Sequence, residues 1–104
     1  MFNDFSFRYQ FTLDRNSHVL IELKGPKDYQ LGFELKTVVA SDTSSPLYFR
    51  TKPCMLYRSG FYVSTLEMVA GTYDVVPSTF KPGMEGPFIL TVKSSTPFKL
   101  NRMK

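Results

Sequence analysis

Residues 5–14 read FSFRYQFTLD and alternate without a break. Phe5, Phe7, Tyr9, Phe11 and Leu13 fall on one face; Ser6, Arg8, Gln10, Thr12 and Asp14 fall on the other. A period of two sustained over this length predicts a β-strand covered on one side. Outward from it the pattern repeats. Asp14-Arg15-Asn16-Ser17 is turn chemistry, because short polar side chains bond nearby backbone groups. A second strand then turns Val19, Ile21 and Leu23 inward, with Glu22 and Lys24 outward. Gly25-Pro26-Lys27-Asp28 makes the next turn. A third strand carries Leu31, Phe33, Leu35 and Val39 inward.

Beyond the polar loop 41–46, Leu47 to Lys52 reads as a fourth strand, and residues 53–60 fit either a short strand or an irregular connection. Phe61 to Leu66 is the fifth strand. Thr72 to Val76 is the sixth, which Pro77 is expected to end for want of an N–H. Residues 78–87 form a long turn, Phe88 to Lys93 a seventh strand and Phe98 to Asn101 a short eighth. Seven or eight short strands with turns between them and no helical period predict an antiparallel β-sandwich or barrel.

Composition agrees. The chain has 104 residues, room for a single domain over 1–104. Val and Thr occur 8 and 9 times and Ala only twice, so a helical bundle is disfavoured. With 42% hydrophobic and 21% charged residues the chain is not of the disordered class. No run of apolar residues is long enough for a membrane helix, and the first residues lack the basic-then-apolar pattern of a signal peptide. The single cysteine, Cys54, forms no internal disulfide and fits a reducing compartment.

Chemistry-bearing motifs are missing. Cys54 and His18 are the sole thiol and imidazole, and nothing around either suggests an activated pair. Zinc needs about four N or S donors, twice what these two supply. Asp14, Asp42 and Glu67 share an end of an antiparallel sandwich with Arg15 beside them, and Asp28 lies at the other. Calcium takes about six to eight oxygen ligands, so no calcium site is expected. No phosphate-binding glycine loop or nucleophile elbow is present. No catalytic residue, metal or cofactor is expected.

Residues 68–92 read MVAGTYDVVPSTFKPGMEGPFILTV. Each element has a local reason. Gly71 permits a tight strand entry. Tyr73 is placed to pack inward while its hydroxyl returns to the backbone, as in a tyrosine corner. Ser78 and Thr79 are expected to cap turn amides, Phe80 to plug the core and Gly86 to begin the return strand. The run Gly71-x-Tyr73-x-Val75-x-Pro77-Ser78-Thr79-Phe80, then Pro82, Glu85-Gly86, Phe88, Leu90 and Val92, resembles the C2-like β-sandwich of the calpains, the domain that follows their papain-like protease core.

The resemblance implies an eight-stranded C2-like sandwich, one module of a longer protein. It also implies a non-catalytic role in a cytoplasmic cysteine protease: orienting the protease core, binding a protein partner or touching an anionic membrane. The Cys, His and Asn of such a protease belong to another domain, and neither Cys54 nor His18 lies in a matching motif. Since no calcium-binding helix-loop-helix unit follows in this sequence, the subtype implied is a PalB-type calpain or another calpain lacking EF-hands. For the PalB type the implied setting is endosomal, with ESCRT-III-type partners.

The formal charge is +4, from 13 basic and 9 acidic side chains. Loops of an antiparallel sandwich alternate between its ends. Asp14, Arg15, Asp42 and Glu67 sort to one end; Lys24, Lys27, Lys52, Arg58 and Lys81, against Asp28 and Glu85, sort to the other. The basic end is the expected docking site for an anionic phospholipid surface or an acidic protein segment. The competing reading from a different class is a nucleic-acid-binding small β-barrel, with Tyr48, Tyr57 and Tyr62 as its stacking platform. The sharing of one face by Phe5, Phe7, Tyr9 and Phe11 with Leu13 argues for core aromatics and no nucleic acid.

Overall fold

The computed structural model describes residues 8–53, 57–79 and 88–103, and these contain strands but no helix. In chain order the strands are β1 (Arg8–Leu13), β2 (Ser17–Lys24), β3 (Gln30–Ala40), β4 (Thr51–Lys52), β5 (Arg58–Ser59), β6 (Phe61–Met68), β7 (Gly71–Thr79), β8 (Ile89–Ser94) and β9 (Leu100–Met103). Two antiparallel sheets result. The larger runs β4-β3-β7-β1-β9, with β5 also on β3; the smaller runs β6-β2-β8. The all-β antiparallel sandwich expected from the alternation is the fold observed.

The inward residues of the two sheets meet in the core. Phe11 and Leu13 of β1, Phe33 and Leu35 of β3, and Tyr73 and Val75 of β7 face Val19 and Ile21 of β2 and Met68 of β6. The Phe11 ring lies 5.7 Å from those of both Tyr73 and Phe98. A second cluster joins Leu23, Leu31 and Phe88. Ser17 and Thr96 are buried polar residues that satisfy each other, their hydroxyls 2.7 Å apart, and the Ser17 hydroxyl also donates to the Arg15 carbonyl at 2.8 Å. Buried hydroxyls need such partners, and this pair ties the start of β2 to the end of β8.

Tyr73 is fully buried, and its hydroxyl donates to the Val69 carbonyl at 2.6 Å, the tyrosine corner that its position suggested. Burial raises its pKa. Tyr73→Phe should cost about 1–2 kcal/mol by leaving the Val69 carbonyl unpaired; urea unfolding checks it. Two residues before, Gly71 sits so close to β3 that a Cβ would overlap the Val39 carbonyl oxygen. A backbone oxygen cannot swing aside as a side chain can, so Gly71→Ala should cost about 2–3 kcal/mol. A thermal melt unchanged by that substitution would mean the β3–β7 contact is looser than described.

Several expectations are corrected. Val39 is not inward but 60% exposed. The β3–β7 register slips between Thr37 (opposite Tyr73) and Val39 (opposite Thr72), so a bulge inserts one residue and reverses the side. Leu47 to Lys52 is not a full strand. Asp42, Ser45 and Pro46 favour turns instead: Ser45 N–H donates to the Asp42 carbonyl, Tyr48 N–H to the Ser45 carbonyl and Leu47 N–H to the Ser45 hydroxyl. Only Thr51–Lys52 pairs with β3.

Pro77 does not end its strand; it is buried opposite Phe33, and β7 continues to Thr79. The proline ring holds φ at about −65°, which strand backbone tolerates, and the missing N–H costs a ladder bond only where the nitrogen faces a partner. The described pairing with β1 stops earlier, at Val75. Ser78 and Thr79 are therefore strand residues, not turn caps, and the Ser78 hydroxyl lies 3.2 Å from the Tyr57 hydroxyl. The last strand pairs with β1 from Leu100 rather than from Phe98, whose ring is held against Phe11. The readings made for Phe5, Phe7, Phe80, Pro82, Glu85 and Gly86 fall outside the described residues.

Candidate interaction surface

The β2–β3 turn and the β5–β6 bend are cinched together at one end of the sandwich. Gly25 N–H donates to the Gly60 carbonyl at 3.0 Å, Gly60 N–H to the Tyr29 carbonyl at 2.9 Å, and Tyr29 N–H to the Pro26 carbonyl at 3.0 Å. Gly60 has φ 71°, in the left-handed region that glycine enters without strain. A Cβ there would come within 3.2 Å of the Lys27 Cα. This clasp brings together Lys24 at the end of β2, Lys27 in the turn and Arg58 on β5.

Lys52 does not join them. It pairs opposite Leu35, whereas Arg58 pairs opposite Leu31. Four strand residues separate the two positions by about 13 Å. Its ammonium lies 5.2 Å from the centre of the Phe49 ring, along a sheet edge. Lys81 and Cys54 lie outside the described residues. Among the three gathered cations, Lys24 has Glu22 at 3.8 Å, and Asp28 sits in the same turn. The described basic end thus carries three positive charges against two negative.

The opposite end gathers the β1–β2 turn, the start of the 41–50 loop and the β6–β7 turn. Ala70 N–H donates to the Asn16 side chain at 3.0 Å, and Ser41 N–H donates to the Ala70 carbonyl at 2.9 Å. Asp14 has Arg15 at 3.4 Å. The Ser44 hydroxyl and amide hold the Asp42 carboxyl below its ordinary range. Glu67 lies 3.6 Å from the His18 ring, a cross-strand contact set by the β2–β6 register. Among the described residues no three His, Cys, Asp or Glu side chains are grouped to hold a metal ion.

The outward face of the small sheet is visible only once its strands are aligned. The β6-β2-β8 registers set up the rows Phe61–Lys24–Ile89, Val63–Glu22–Thr91 and Thr65–Leu20–Lys93. Phe61, Val63 and Ile89 are 42%, 47% and 65% exposed. The Lys24 ammonium leans over the Phe61 ring, 5.7 Å from its centre. A shallow depression of about 340 Å³ lies over Leu20, walled by His18, Thr65, Glu67 and Lys93. This apolar face was missed in the sequence because only Glu22 and Lys24 were read as its outward residues. The alternation of Phe61, Val63 and Thr65 on β6 was the available signal.

The three tyrosines proposed as a base-stacking platform do not share a face. Tyr62 points inward, its ring 5.1 Å from that of Phe33, and the Tyr57 hydroxyl lies beside Ser78.

The model of the calpain large subunit, domain III, matches residues 24–93. The chain belongs to the calpain domain III family. It is 41% identical over 97 residues to Calpain-7 of Sus scrofa, 40% to that of Mus musculus and 39% to that of Homo sapiens. Each alignment covers 92% of this chain and 12% of the relative, so the chain spans about an eighth of these proteins. Domain III is a non-catalytic part of calpain, and the chain is accordingly not a protease by itself. The matched region contains the run from Gly71 to Val92, whose tyrosine corner and close β3–β7 approach are structural features, not a reacting site.

Proposed function

We propose that this domain III is an accessory module of a calpain-like cytoplasmic cysteine protease, orienting the protease core and offering a surface to further partners. The observation that carries this reading is the domain III match over residues 24–93, on a sandwich whose described polar residues form structural pairs and no reacting constellation. The subtype most in keeping with the Calpain-7 relatives is a PalB-type enzyme lacking EF-hands, acting at endosomal membranes with ESCRT-III-type partners. A purified chain should show no hydrolysis of peptides that Cys54→Ala abolishes. Hydrolysis that disappears with that substitution would reject the accessory role.

An anionic phospholipid surface is the second reading, favoured by Lys24, which shares a row with the exposed Phe61 and Ile89, and by the clasp that joins the turn of Lys27 to the bend after Arg58. Each cation near an anionic membrane contributes about 1 kcal/mol, and Glu22 and Asp28 offset part of that. Co-sedimentation with phosphatidylserine-containing vesicles should be weak and salt-sensitive. It should be lost in Lys24→Glu/Lys27→Glu/Arg58→Glu and kept in Lys52→Glu, because Lys52 lies apart. Absent binding, or binding that survives the triple reversal, removes the membrane from the list of partners.

A further inference from the structure

An open sheet leaves unpaired N–H and C=O groups on its edge strands, and proteins guard such edges with short strands, lysines, prolines or bulges. The described strands follow that rule with one exception. β4 and β5 are two residues each, β9 has four with Arg102 among them, and β8 carries Lys93. β6 has eight residues, FYVSTLEM, with no lysine, arginine, proline or glycine, and it pairs with β2 on one side alone among the described strands.

The rows on the small sheet state what an added strand must present. Next to Phe61, with the Lys24 ammonium already over its ring, a carboxylate fits. Next to Val63 and Thr65, small β-branched side chains fit. Underneath, next to the half-buried Tyr62 and Leu66, apolar groups are needed. β6 itself meets all three demands when a second copy runs antiparallel with Ser64 opposite its own counterpart. Phe61 then faces the other copy's Glu67, Val63 faces Thr65 and Tyr62 faces Leu66. The Glu67 carboxylate of each copy comes beside Phe61 and within reach of Lys24 of the other. The arrangement is two-fold and closed, so it stops at a dimer.

We infer that β6 is a self-complementary edge through which two copies of this chain join their small sheets into one six-stranded sheet. Sedimentation velocity of the chain at about 100 µM, a concentration that reveals micromolar association, should show a dimer. Val63→Lys puts like charges in the central rows and should give a monomer with an unchanged melt. Glu67→Lys and Lys24→Glu should each weaken association about tenfold, and the double swap should restore it to within about twofold, because only the pairing across copies regains opposite charges. A wild-type chain that stays monomeric at that concentration overturns the inference. So does a dimer indifferent to Val63→Lys, or one that the charge swap fails to rescue; an edge that pairs instead with an extended segment of another protein would give the first of these.

Discussion

Phe11→Ala should destabilise the domain by about 3–5 kcal/mol, the range for emptying a buried aromatic position. Phe11 sits on β1, an interior strand of the larger sheet paired on both sides, to β7 and to β9. It is 1% exposed, and its ring touches Tyr73 on one side and Phe98 on the other. Tyr73 in turn stacks near Phe49, with centres 5.8 Å apart. Removing the ring therefore leaves a cavity bounded by three strands and a loop, whose backbone pairing resists collapse. A domain of this size has about 5–10 kcal/mol in total, so a large fraction of molecules would be unfolded at moderate urea. Equilibrium urea unfolding gives the value. A loss under 1 kcal/mol would show that the aromatic cluster is not the stabilising centre.

The second large effect is expected at Phe88, just before β8. It is 4% exposed and closes the cluster with Leu23 and Leu31, with Tyr9 edge-on at 6.4 Å. Phe88→Ala should cost about 3 kcal/mol, at the lower end of the same range because this cluster is smaller and has more room to relax. Tyr9 packs against both the cluster of Phe88 and the cluster of Phe11, so the double variant should depart from simple additivity. Thermal and urea unfolding of the two single variants and the double variant measure that coupling.

The inward set of β1, β2 and the first half of β3 was legible because each strand keeps strict parity: Phe11, Leu13, Val19, Ile21, Leu23, Leu31, Phe33 and Leu35 are all buried. Parity fails at Val39, where a bulge that no residue type announces turns the strand over. The fourth strand was illegible for another reason: apolar alternation at Leu47 and Phe49 competes with side chain-to-backbone bonds from Asp42 and Ser45, and the local bonds prevail. At the surface, the turns beside Lys24, Lys27 and Arg58 are joined by backbone bonds, which the order of turns along the chain does not contain. Lys52 lies on a two-residue strand that pairs in the middle of β3, a register equally absent from the linear pattern. The contact of His18 with Glu67, and the apolar rows around Phe61, depend on cross-strand register, which a linear pattern does not contain.

The accessory role is tested most directly by peptide hydrolysis in a longer polypeptide. In Calpain-7 of Mus musculus, the segment matched here would be replaced by this chain and, separately, deleted. The replacement should keep kcat/KM within about tenfold of the parent, and the deletion should lower it by more than tenfold, a difference of about 1.4 kcal/mol per factor of ten. A deletion as active as the parent at equal folded protein would contradict the role assigned to this domain.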